Sequence, residues 1–124
     1  MKILVTGFTP FGGEQINPSW EAVKRLPDRI GEAVLLKREI PTEFDAACAA
    51  LRTAMAELRP DAVLSVGQYG GANCIRVERV AVNLRDARIA DNAGAKPVDE
   101  PVVPGAPDAY FATLPTRRIV EKLR

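Results

Sequence analysis

The chain has 124 residues, of which 47% are apolar and 27% are charged, a composition typical of a globular protein. Its 17 basic and 16 acidic side chains are scattered and give a net charge of +1, which argues against a nucleic-acid partner. No apolar run reaches the roughly 18 residues that a membrane span requires, and residues 1–7 do not resemble a signal peptide. We therefore expect a single cytoplasmic domain with no membrane partner.

The first 66 residues alternate predicted strands with predicted helices. Residues 2–6 form a continuous apolar run ended by Gly7, which predicts an interior strand covered on both faces. Asn17 followed by Pro18 predicts the start of a helix that ends before Pro27. Further strands are predicted at residues 33–40 and 62–66.

A second helix is predicted between these last two strands. Thr42 and Asp45 are interpreted as a capping box, and apolar residues recur at helical spacing from Phe44 to Leu58. Cys48 lies on this apolar stripe and is expected to be buried. The alternation predicts a three-layer α/β/α sandwich around a mostly parallel twisted sheet.

Beyond Gly71 the pattern changes to shorter predicted strands and turns. Residues 97–107 hold four of the ten prolines, which predicts an ordered extended loop or a mobile lid. Residues 116–124 predict an amphipathic helix whose apolar positions need a partner. In a fold that alternates in this way another strand normally follows, so we expect the C-terminal elements of the domain to be missing.

Glu78 is the most informative charged residue, because it stands among alternating apolar residues after the glycine-bearing turn of residues 67–71. A buried carboxylate is tolerated as the ion-pair partner of Arg76 or Arg85, or as an orienting group in an active site. The residues alone leave both alternatives open. The chain contains no histidine, so an imidazole beside this carboxylate must come from residues outside this sequence.

Eight short motifs occur along the chain in a fixed order. They are residues 5–8 (VTGF), 10–13 (PFGG), 17–19 (NPS), 66–68 (VGQ), 77–83 (VERVAVN), 86–89 (DARI), 91–92 (DN) and 104–107 (PGAP). With these motifs the chain resembles the pyroglutamyl peptidase I family over essentially its whole length. The resemblance implies a cytosolic cysteine peptidase that removes N-terminal pyroglutamate from peptides and forms a homo-oligomer, a dimer or a tetramer.

The family uses a Cys, His and Glu triad, of which only the glutamate matches a position here, Glu78. The resemblance therefore implies that the nucleophile and the base lie in a later segment, and that this chain alone is inactive. Cys74 does not match the nucleophile, and no histidine can activate it. Two cysteines without histidine also cannot form a structural zinc site, so neither a metal nor a cofactor is expected.

The resemblance also implies a binding site for the lactam. Phe8 and Phe11 would enclose the ring, and Gln68 would lie near it; the alternative is that both phenylalanines plug the base of the sheet. Arg88 is a candidate for the anion-stabilising corner of the site, or it pairs with Asp86 or Asp91. The alternative function is a non-catalytic α/β domain that binds a small ligand or a partner protein.

Overall fold

The first predicted strand, β1 (Lys2–Phe8), lies inside a four-stranded sheet of the computed structural model, which describes residues 1–123. The other strands of this sheet are β2 (Arg29–Ile30), β3 (Ala33–Ile40) and β4 (Ala62–Ser65), in the order β2-β3-β1-β4. β1 is parallel to both β3 and β4, and only β2 is antiparallel to its neighbour. The mostly parallel sheet predicted from the sequence is confirmed.

The contacts of the described residues divide the chain into two compact units. Unit 1 consists of Met1–Tyr69 and Ala90–Ala95, and it contains the four-stranded sheet. Unit 2 consists of Gly70–Ile89 and the residues from Lys96 onward. The single domain expected from the length stays a prediction.

The core of unit 1 lies where helix α1 (Pro18–Lys24) packs on the sheet. Val5, Val23 and Leu35 form a buried cluster there. Leu4, next to Val5 in β1, is 0% exposed, and successive side chains of a strand point to opposite faces. Both faces of β1 are therefore covered, as predicted for an interior strand of an α/β/α sandwich.

Helix α2 (Phe44–Leu58) begins differently from the predicted capping box. Its N-cap residue is Glu43, whose side chain makes no capping hydrogen bond. The N–H of Phe44 instead donates to the carboxylate of Asp91, 2.8 Å away and 47 residues along the chain. The capping-box prediction is wrong because the acceptor at the start of α2 is Asp91, a residue distant in the sequence, and not a side chain from residues 42–45.

The expected burial of Cys48 is also wrong, since this side chain is exposed. Met55, seven residues later on the same stripe, is 44% exposed, whereas Ala54 on the neighbouring stripe is buried. The other members of the predicted stripe are half-buried, namely Phe44, Ala47, Leu51 and Leu58. The buried face of α2 therefore overlaps the predicted one and is rotated toward Ala54. Alanines on the buried face carried too little hydrophobic signal to reveal this rotation.

Unit 2 contains a two-stranded antiparallel sheet, β5 (Val80–Val82) with β6 (Ala109–Phe111), and helix α3 (Thr116–Leu123). The predicted amphipathic helix is confirmed over residues 116–123, while Arg124 lies outside the described residues; β6 was not predicted. Residues 97–107, predicted as an extended loop, contain no helix and no strand, although Glu100 forms an isolated bridge with Arg85. This segment is ordered by Asn83, which accepts a hydrogen bond from the N–H of Val103 at 2.8 Å and donates to its carbonyl at 2.9 Å.

Candidate functional site

The carboxyl ends of β1 and β4 meet at one edge of the sheet in unit 1. From β1 the chain passes through α1 to β3 on one side, and then through α2 to β4 on the other side of β1. This reversal is a topological switch point, where open parallel sheets place their ligand sites. Phe8 ends β1, and Gln68 follows the end of β4.

The segment after β1, residues 9–13, is called the β1 loop. It contains Phe11, which is half-buried. Phe8, at the end of the strand, is half-buried as well. Gly12 and Gly13 have φ angles of 65° and 84°, a left-handed conformation that glycine adopts without a steric penalty. Both phenylalanines and Gln68 therefore belong to loops or strand ends at the same edge, and Gln68 is exposed.

Side chains from three other segments bind the backbone of the β1 loop. The amide of Asn17 donates to the carbonyl of Thr9 at 3.1 Å, and the hydroxyl of Thr42 donates to the same carbonyl at 2.7 Å. The amide of Asn92 donates to the carbonyl of Pro10 at 2.8 Å. The loop is thus fixed at two successive carbonyl groups immediately before Phe11.

Asn17 also performs the capping role predicted for it. Its side-chain oxygen accepts from the N–H of Ser19 at 3.0 Å and from the Ser19 hydroxyl at 2.8 Å. The Ser19 hydroxyl oxygen in turn accepts from the N–H of Phe8 at 3.0 Å. Because Asn17 and Ser19 are 2% and 3% exposed, this buried chain of hydrogen bonds joins the start of α1 to the end of β1.

The carboxylate of Asp91 organises a further part of this edge. Besides Phe44, it binds the N–H groups of Ala93 and Ala95 at 2.9 and 2.8 Å. The hydrogen bond from the Phe44 N–H is the main reason why the pKa of Asp91 lies below its ordinary value, although burial opposes the shift. From the sequence, Asp91 is predicted only as a possible ion-pair partner of Arg88. The contact between Asp91 and Phe44 joins residues far apart in the chain, so no local sequence pattern indicates it.

Glu78 lies in unit 2, in an irregular segment two residues before β5. The prediction of a strand at this residue is wrong, and so is the prediction of a buried carboxylate, because the side chain is exposed. Arg85, one of the ion-pair partners considered for Glu78, pairs with Glu100 at 3.1 Å. Arg88 also lies in unit 2 and is exposed, as is Cys74.

Within residues 1–123, His, Cys, Asp and Glu side chains form no group of three or more that could hold a metal ion. No helix in the same part of the chain is long and apolar enough to cross a bilayer.

A model of the pyroglutamyl peptidase family matches residues 1–124. The chain belongs to this family. It is 56% identical to the pyrrolidone-carboxylate peptidase of Thermococcus onnurineus over 124 residues, which are 100% of this chain and 62% of that relative. The corresponding enzyme of Thermococcus kodakarensis is 55% identical, with 60% of its length covered.

Solved structures of the pyroglutamyl peptidase family have the same fold. Bacillus amyloliquefaciens pyroglutamyl peptidase I matches with a TM-score of 0.94 and 52% identity over 98% of this chain and 59% of that chain. A mutant pyrrolidone carboxyl peptidase from P. furiosus matches with a TM-score of 0.95 and 50% identity over 99% and 60%. The family resemblance and the fold class are confirmed, and the chain spans about three fifths of the length of these relatives.

Proposed function

We propose that this chain contributes the lactam-binding loops and the acidic triad residue of a cysteine peptidase that removes N-terminal pyroglutamate from peptides. The observation that carries the proposal is the match of the pyroglutamyl peptidase family model to all 124 residues. The arrangement of unit 1 supports it, because Phe8, Phe11 and Gln68 lie at the edge of the sheet where ligands bind in such folds.

The proposed ligand is the flat, neutral lactam ring of pyroglutamate. Such a ring needs apolar walls and hydrogen bonds for its amide N–H and carbonyl. Phe8 and Phe11 supply aromatic walls, and the side-chain amide of Gln68 can both donate and accept. Half-burial of the two phenylalanines leaves part of each side chain free to contact a ligand.

In the proposed mechanism an imidazole takes the proton of a thiol, and the resulting thiolate attacks the carbonyl carbon that joins pyroglutamate to the next residue. The imidazole then gives this proton to the leaving amine, which leaves a thioester between the enzyme and pyroglutamate. Water hydrolyses the thioester. The carboxylate of Glu78 fixes the tautomer of the imidazole, and Arg88 helps to stabilise the oxyanion. The side chains of Glu78 and Arg88 are both exposed, so both are accessible to the reacting groups.

The thiol and the imidazole of this mechanism come from polypeptide outside these 124 residues. The chain has no histidine, and the thiol of Cys48 lies on the outer face of α2. We further propose that the protein acts in the cytoplasm as a homo-oligomer, a dimer or a tetramer, without a cofactor. The 124 residues alone should then bind the lactam without hydrolysing a substrate.

A chimera tests the proposed function. It joins residues 1–124 to the part of the Thermococcus onnurineus relative that this chain does not match. We expect the chimera to hydrolyse a pyroglutamyl amide, to lose this activity with iodoacetamide, and to exceed the 124-residue chain by several orders of magnitude. Equal activity of the two proteins, or a folded chimera without activity, would contradict the proposal.

A further inference from the structure

We propose that Ala90–Ala95, which we call the inserted turn, positions the wall of the lactam site, with Asn92 as the positioning residue. The inference rests on the proposed function, because it assigns Phe11 to the lactam. The chain leaves unit 2 after Ile89, adds these six residues to unit 1, and returns to unit 2 at Lys96. The contacts that the inserted turn makes within unit 1 indicate its role.

Asn92 connects two loops of unit 1. Its backbone N–H donates to the carbonyl of Thr42 at 3.1 Å, and its side-chain amide donates to the carbonyl of Pro10 at 2.8 Å. The Pro10 carbonyl belongs to the planar peptide unit that ends at the Cα of Phe11. A hydrogen bond to this carbonyl therefore restrains the orientation of this peptide plane, and with it the positions of the backbone N and Cα from which the Phe11 side chain extends.

The inserted turn is itself held rigidly. The two oxygens of the Asp91 carboxylate accept from the N–H groups of Phe44, Ala93 and Ala95. Because Asp91 is charged at neutral pH and its hydrogen bonds are charge-assisted, the adjacent Asn92 is presented on a fixed backbone. The inserted turn therefore links the start of α2, through Phe44, to the β1 loop, through Pro10.

The β1 loop needs such an external constraint. The residues that follow Phe11 are two exposed glycines, which restrict the backbone less than any other residue. Asn92 is itself exposed, so water competes for its hydrogen bonds and their contribution to global stability is small. Their expected contribution is to preorganisation, since a loop that is already ordered loses less entropy when the ligand binds.

The test uses the 124-residue chain and L-pyroglutamamide as the probe. We expect N92A and N92D to raise the dissociation constant about fivefold to tenfold, the loss expected for one hydrogen bond that orders a binding loop. Both variants keep the backbone N–H to Thr42, so their melting temperatures should stay within about 2 °C of wild type. A merely structural role would lower the melting temperature and leave the affinity unchanged.

N83A is the matched control, because Asn83 makes side-chain hydrogen bonds with Val103 and Ala106 in unit 2. It should lower the melting temperature and change the dissociation constant less than twofold. Wild-type affinity of N92A and N92D would overturn the positioning role while leaving the proposed function intact. Failure of the wild-type chain to bind the lactam would overturn the lactam assignment, and this inference with it.

Discussion

E78Q in the chimera is expected to lower kcat by about a thousandfold or more and to change KM less than about threefold. Glutamine has nearly the shape of glutamate, but it carries no charge to stabilise the imidazolium that forms during proton transfer. Its amide can also favour the wrong tautomer of the imidazole. Steady-state kinetics with a pyroglutamyl amide measure both constants.

E57Q is the control for the loss of one carboxylate. Glu57 is an exposed residue of α2, and it has no part in the proposed chemistry. Its kcat should stay within about twofold of the unmutated chimera. If E78Q also retained kcat within a few-fold, Glu78 would not be the third member of the triad.

Replacement of Gly7 by alanine in the 124-residue chain is expected to lower the free energy of unfolding by about 2–4 kcal/mol. A Cβ at this position would lie 2.6 Å from the Cα and 2.7 Å from the backbone N of Trp20. These are backbone atoms of α1, so the clash cannot be relieved by rotating a side chain. The helix must move away from β1 and from the cluster formed by Val5, Val23 and Leu35.

G67A is the matched control for G7A, because no atom lies within 4 Å of a Cβ added at Gly67. Its free energy of unfolding should change by less than about 0.5 kcal/mol. Urea denaturation followed by circular dichroism measures both variants under the same conditions. An equally small effect of G7A would show that α1 does not approach β1 as closely as the structure indicates.

The secondary structure was predictable wherever its signal is local. The apolar run of β1 and the Asn17-Pro18 pair identify their elements without help from distant residues, and both are confirmed. The start of α2 was mispredicted because its cap comes from Asp91. The strand predicted at Glu78 is absent, although apolar residues occupy alternate positions around it. Such alternation also occurs in irregular backbone, where no neighbouring strand fixes an extended conformation.

The site could be predicted only in part. The sheet edge that carries Phe8, Phe11 and Gln68 follows from the parallel strands, since their carboxyl ends meet at one edge. The hydrogen bond from Asn92 to the Pro10 carbonyl joins residues 82 positions apart, and no spacing rule reveals such a contact. The lactam-binding roles of Phe8, Phe11 and Gln68 rest on the family resemblance, as do the roles of Glu78 and Arg88.

The central claim is that the edge formed by the ends of β1 and β4 binds the lactam of pyroglutamate. Titration of the 15N-labelled 124-residue chain with L-pyroglutamamide tests it, with L-prolinamide as the control ligand that lacks the lactam carbonyl. We expect saturable shifts of the Phe8, Phe11 and Gln68 backbone amides with the lactam and much weaker shifts with the control. Equal shifts with both ligands, or no saturable shift at these amides, would contradict the account.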